Sequence, residues 1–290
     1  MNSFNYLRIL FLAIFSLSII SCTNNNEDDD LGSKSPIPDK GYKKLVQMNI
    51  KGKSEDRSYF YYDKYGSLTS LEYCYYTTNG SLGSRDILNF KYENNYILIS
   101  MNGEEFEKLY EIIDGKITKF IYPKINVFLT YDNNGRLATT YLEDNSGKRE
   151  FTWEDGKLVN TTESHVSYYT DPYTNSHSES HTTTTCKYTY SSHGPNRCNG
   201  FFPGDNFLAN YSAVYELCTV PWIIGMEQQD LPQKIEEEII YSSGLRQLYI
   251  SEFTYTFYDN GYLKTCTEKR TYIFNGYSKE ETIIQEYFWQ

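Results

Sequence analysis

The chain reads as all-β: an antiparallel meander of repeated hairpins curled into a barrel or half-barrel, with one short loop or helix insertion. Three observations lead there. A unit of aromatic strand, Asp/Asn-Gly turn and apolar strand recurs along much of the length. The 290 residues include 30 Tyr and 16 Phe but 8 Pro, and aromatic residues favour a pleated, half-buried surface. Asp-Gly or Asn-Gly between alternating apolar residues is the strongest short-range hairpin signal.

The first element is not part of that fold. Arg8, the apolar run from Ile9 to Ile20, and Ser21 supply the basic, apolar and small-residue parts of a secretory signal over residues 1–21. The run is short of the ~20 residues that a membrane-spanning helix needs. Cys22 follows directly, and the pattern resembles the lipobox of bacterial lipoproteins. That resemblance implies cleavage before Cys22 and lipidation of its new N-terminus, with the membrane as partner through the acyl chains. Residues 22–41, with Glu27-Asp28-Asp29-Asp30, cannot bury a core and read as a disordered acidic tether. The acidic run also resembles the signal behind the lipidated cysteine in surface-exposed lipoproteins of Bacteroidetes, which implies an outer-membrane, cell-surface location.

Residues 42–290 read as a single repeat-built domain. The unit appears as Tyr61-Tyr62-Asp63-Lys64-Tyr65-Gly66-Ser67-Leu68, as Tyr131-Asp132-Asn133-Asn134-Gly135-Arg136-Leu137 and as Tyr258-Asp259-Asn260-Gly261-Tyr262-Leu263. Shorter forms centre on Asp114-Gly115 and Asp155-Gly156, and Tyr92-Glu93-Asn94-Asn95-Tyr96-Ile97 is a degenerate one. The glycines reach positive φ without steric cost, and Asp or Asn bonds its own backbone. Asp63, Asp132 and Asp259 therefore read as turn formers rather than calcium or catalytic carboxylates.

These units resemble the YD-type repeats of large secreted bacterial shells. With the lipobox and the acidic tether, they resemble a family of Bacteroidetes lipoproteins of unknown function with a porin-like, meandering β fold. The likeness spans roughly residues 42 to 290 and implies no particular site residues. The chain departs from a clean repeat between Gly194 and Tyr255.

Two segments stand out. Ser164 to Tyr190 reads as a long polar hairpin carrying His165, His177 and His181, with His193 close behind. A turn centred on Tyr173 would set His165 opposite His181, close enough to share a Zn²⁺ or Cu²⁺. The bland alternative is a polar hairpin tip. Residues 199–234 form the insertion: a helix over 207–217, then an apolar stretch through Trp222. It reads as a plug for one barrel end, or alternatively as a pocket floor lined by Trp222, Phe201 and Phe202.

The net charge is −11, with no Lys/Arg cluster, which excludes a nucleic-acid partner. Cys74, Cys186, Cys198, Cys218 and Cys266 make an odd set without a C-x-x-C pair, and read as small buried hydrophobes. No nucleophile elbow, phosphate loop or H-E-x-x-H helix occurs, and no cofactor is implied. Charge runs such as Glu236-Glu237-Glu238 argue against a lipid-facing wall. The favoured reading is a non-catalytic binding or scaffolding module with a glycan or protein ligand. The alternatives are a structural surface protein without a small ligand and an extracellular glycosidase.

Overall fold

In the computed structural model the described residues are 43–51, 55–77, 79–105, 107–121, 125–170, 177–191, 226 and 230–290. They form sixteen strands. The first eight are β1 (Leu45–Lys51), β2 (Glu55–Tyr62), β3 (Leu68–Tyr76), β4 (Leu82–Glu93), β5 (Tyr96–Met101), β6 (Glu107–Ile113), β7 (Lys116–Phe120) and β8 (Val127–Tyr131). The rest are β9 (Leu137–Leu142), β10 (Gly147–Glu154), β11 (Lys157–Thr170), β12 (His177–Tyr190), β13 (Pro232–Tyr241), β14 (Arg246–Phe257), β15 (Leu263–Phe274) and β16 (Tyr277–Trp289). Each strand pairs antiparallel with its neighbours in sequence, and β1 pairs with β16. The meander is therefore a closed barrel, not a half-barrel, and no helix occurs among the described residues. The helix expected over 207–217 lies outside them. The insertion expected over 199–234 ends sooner, because β13 already begins at Pro232.

The repeat explains one end of this barrel. The turns after the even-numbered strands all lie at the end where β1 starts and β16 finishes, called here the tied end. Two turn chemistries build them. At 63–67, 132–136 and 258–262 the first residue's carbonyl accepts from the glycine N–H, and its own N–H donates to the fifth residue. Gly66, Gly135 and Gly261 have φ of 90°, 72° and 84°, the left-handed residue of a three-residue hairpin loop. In two of these, Asp63 and Asp132 each accept two further backbone N–H bonds, so both carboxylates are turn formers. In the third, Tyr258 rather than Asp259 holds that first place, one residue out of the frame suggested by the sequence. Asp114-Gly115 and Asp155-Gly156 are two-residue turns with positive φ at both positions. The stretch between Gly194 and Tyr255 rejoins the pattern: Tyr241 to Leu245 is a three-residue loop of the first kind, at the opposite end.

Each odd-numbered strand opens, at or beside its first residue, on a buried aliphatic: Leu45, Leu68, Ile97, Ile117, Leu137, Leu158, Leu231 and Leu263, all 0–6% exposed. At ~1.5–3 kcal/mol for each such side chain removed from water, this ring is a main source of cohesion. The aromatic that closes the repeat's first strand has a separate task. Tyr62, Tyr92 and Tyr190 donate their hydroxyls to the carbonyls of Leu45, Leu68 and Leu158 at 2.8, 2.9 and 2.7 Å. Trp153 and Trp289 donate indole N–H groups to Leu137 and Leu263 at 2.8 and 2.7 Å. Tyr131 and Tyr255 do the same to Ile117 and Pro232. Seven of the eight even-numbered strands are thus latched to the strand before them, across the gaps that no turn bridges. Burial pushes the Tyr92, Tyr131 and Tyr255 hydroxyls well above the ordinary tyrosine range, so they remain donors. The basic residue after the turn glycine completes the device: Lys116, Arg136 and Lys157 each lie 5.7 Å from the ring centre of Tyr131, Trp153 and Tyr190.

Candidate functional site

The two ends differ because the strands differ in length. β5 to β9 have five to seven residues, whereas β11 to β16 have ten to fourteen. All start or finish together at the tied end. At about 3.3 Å per residue the long strands stand roughly 20 Å taller at the other end, the mouth.

Alternation along these strands decides what faces inward. The register pairs Arg149 with Glu163, Glu237 with Tyr249, Ser251 with Arg270, Tyr249 with Tyr272, Arg270 with Glu281 and Tyr272 with Lys279. These side chains share the inner face. Arg149, 4% exposed, donates its Nε–H to Glu163 Oε2 at 2.9 Å, and its Nη2 reaches the same oxygen. Glu237 stands beside this pair. Burial first, then the Glu163 charge, hold its carboxyl above the ordinary glutamate range, while Arg149 and Arg270 pull it down. Glu237 thus turns inward, while its neighbours Glu236 and Glu238 pair with Lys234 and Arg246 on the outer face.

On β15, buried Glu268 accepts the Ser251 hydroxyl at 2.6 Å and Arg270 Nε and Nη2 at 2.9 and 3.1 Å. Arg270 Nη1 lies 3.6 Å from Glu281, and Lys279 Nζ lies 3.7 Å from it. Above them Tyr249 and Tyr272 sit 4.8 Å apart between ring centres at 36°, and Tyr272 and Phe274 sit 6.4 Å apart at 18°. Tyr249, Arg270, Tyr272, Lys279 and Glu281 line a cavity of about 240 Å³ open to solvent. The arrangement offers ring faces beside fixed donors and an acceptor.

The outer face is of another kind. Lys51 pairs with Glu286 at 2.8 Å, Arg85 with Glu72 at 2.7 Å, Lys148 with Glu150 at 2.6 Å, and Lys234 with Glu236 at 2.9 Å. Each Lys or Arg on a lipid-facing wall would cost ~2–4 kcal/mol at mid-bilayer. A wall with this many charges faces water. The lumen of a water-filled channel is polar, but here the tied end is an apolar core.

The residues singled out from sequence fall as follows. His165 pairs with Thr182, and His181 with Val166. The register of β11 with β12 differs by half a residue from one centred on 173, and that slip puts His165 on the inner face and His181 on the outer. The two imidazoles cannot share a metal ion: His165 Nδ1 meets Ser167 Oγ at 3.1 Å, while His181 lies exposed beside Glu179 at 3.1 Å. Among the described residues no group of three metal-ligating side chains occurs. Cys74, Cys186 and Cys266 are buried free thiols, and burial pushes Cys186 up to about 11. Cys22, Phe201, Phe202, Trp222, His193, Cys198 and Cys218 lie outside the described residues. The aromatic surface found here, Tyr249, Tyr272 and Phe274, is not the one expected. No local motif marks it, because Tyr249 joins Tyr272 and Phe274 only through the pairing of β14 with β15.

No family model and no curated protein matches this sequence. Among solved structures, a porin-like protein from Bacteroides uniformis superposes with a TM-score of 0.59 at 15% identity, covering 88% of this chain and 99% of that one. A porin-like protein from Bacteroides vulgatus gives 0.47 at 14% identity, over 85% and 98%. The first likeness, at that identity, shows a shared fold: the chain has the barrel architecture of the B. uniformis protein.

Proposed function

We propose that this protein is an exported, lipid-anchored, non-catalytic binding module at the outer membrane, with its ligand seated in the barrel mouth. The observation that carries the reading is the asymmetry of the barrel. One end is a latched apolar core with a cavity at its rim, beside Lys44, Tyr62, Asp63 and Gln290, while the other holds an aromatic and charge-lined cavity among inward-facing side chains, above a water-facing wall. The anchor rests on the N-terminal pattern ending at Cys22, and the charged wall supports it, because such a barrel needs some other means of membrane attachment. A structural surface protein without a small ligand would need only the closed core. The cavity and the fixed Glu268–Arg270 pair are what favour binding.

The test is a ligand screen on the full-length protein in detergent, against glycans and outer-membrane proteins, with Tyr272→Ala as the variant. Saturable binding lost in the variant supports the reading. Binding indifferent to Tyr272→Ala, or hydrolysis of a bound glycan, overturns it. Radiolabelled palmitate incorporation that persists in Cys22→Ser would remove the anchor.

A further inference from the structure

We infer that the mouth takes a neutral saccharide ring, the end of an uncharged glycan chain. This deepens the reading of the mouth as a binding site and rests on it.

Three features select this ligand class. The first is charge. Arg270 and Lys279 meet Glu268 and Glu281, two cations against two carboxylates: Arg270 lies within ion-pair range of both carboxylates, and Lys279 within range of Glu281. An anionic ligand would have to compete with Glu268, which holds Arg270 by two hydrogen bonds and is itself buried and held by Ser251. A cationic ligand would meet Arg270 and Lys279. Hydroxyl groups suffer neither conflict, since each can donate to a carboxylate and accept from an ammonium.

The second feature is the ring surface. Tyr249, Tyr272 and Phe274 form a contiguous aromatic strip along the pairing of β14 with β15. Ring faces carry the negative part of the aromatic quadrupole, so they attract the weakly positive C–H groups on the flat side of a sugar ring. Tyrosines supply that surface at low entropic cost.

The third is size. A cavity of about 240 Å³ is smaller than the usual range for drug-sized ligands, roughly 300–1,000 Å³. It admits a ring unit at a chain end rather than a folded peptide.

The experiment is calorimetric titration of the full-length protein in detergent micelles with three sets of oligosaccharides: neutral hexose and pentose oligomers, uronate oligomers and amino-sugar oligomers. The neutral set is expected to bind, with affinity nearly independent of salt because no net charge is neutralised. Tyr272→Ala should weaken binding about tenfold or more, the scale of an aromatic anchor, while Tyr272→Phe keeps the ring and the binding. His181→Ala, on the outer wall, should change nothing. Circular dichroism melts of each variant separate lost binding from lost folding.

Tighter binding of uronates or amino sugars, falling steeply with salt, would overturn the neutral-saccharide inference and leave the mouth as a binding site. No binding by any sugar would overturn it too. The binding reading would then stand only if a partner protein's capture depended on Tyr272. Sugar binding indifferent to Tyr272→Ala would sink both.

Discussion

Replacing Arg149 with methionine strands two carboxylates inside the barrel. In the native protein its guanidinium, 4% exposed, donates twice to Glu163, whose side chain is 11% exposed, and its charge also reaches Glu237. Breaking one side of a buried pair costs ~3–5 kcal/mol, because the remaining charge has lost both water and partner. For a domain of this size each 1 kcal/mol moves Tm by about 2–4 °C, so Arg149→Met should lower Tm by roughly 6–20 °C. Acid that protonates the stranded carboxyls should recover part of that loss. The double variant Arg149→Met/Glu163→Leu removes both charges and should regain most of the stability, since a buried pair and a well-packed apolar pair are often close in energy. The assay is urea denaturation of the four proteins in the cycle at neutral and acid pH. If Arg149→Met costs under about 1 kcal/mol, in the range of a surface pair, the inner-face assignment of these residues is wrong. An outcome in which the double variant is as unstable as the two single losses added together would likewise refute the reasoning.

Three further outcomes follow from the same geometry. Tyr190→Phe keeps the ring but removes the hydroxyl that meets the Leu158 carbonyl at 2.7 Å, and should cost about 1 kcal/mol in urea melts, whereas Tyr61→Phe, whose exposed hydroxyl meets Glu72 at 3.2 Å, should be near neutral. Glu237 has its carboxyl raised by burial, so the folded state holds the proton more tightly than the unfolded chain. Stability is lost as pH rises from the ordinary value of 4.5 through the raised one, and Glu237→Gln should raise Tm at neutral pH with the gain vanishing at about pH 4. Gly135 sits at φ 72° with only the end of Lys116 3.7 Å from an added Cβ, so Gly135→Ala should cost ~1–2 kcal/mol through backbone conformation alone, and Gly135→Asn less; equal losses for the two would contradict this.

The sequence by itself determined the hairpin array and much of the tied end. Turn residues act locally: Asp63, Asp132, Gly66, Gly135 and the Asp-Gly pairs bend the chain through bonds within five residues, so their chemistry is legible in a short window. An aliphatic after each turn and an aromatic before it recur along the chain, and they occupy the same places in the barrel. The sequence also determined the charged character of the outer wall, because Lys, Arg and Glu runs tolerate no lipid. What only the tertiary structure decided depends on register between strands distant from the turn signals. A half-residue difference in the register of β11 with β12 separates His165 from His181 by the thickness of the sheet. Closure depends on β1 finding β16 across the whole domain. The mouth depends on Tyr249, Arg270, Tyr272 and Glu281 meeting across three strands, in residues whose local spacing is that of any amphipathic strand. Side-chain alternation sets only the face a residue occupies; its partners are set by how far each strand has slid along the next.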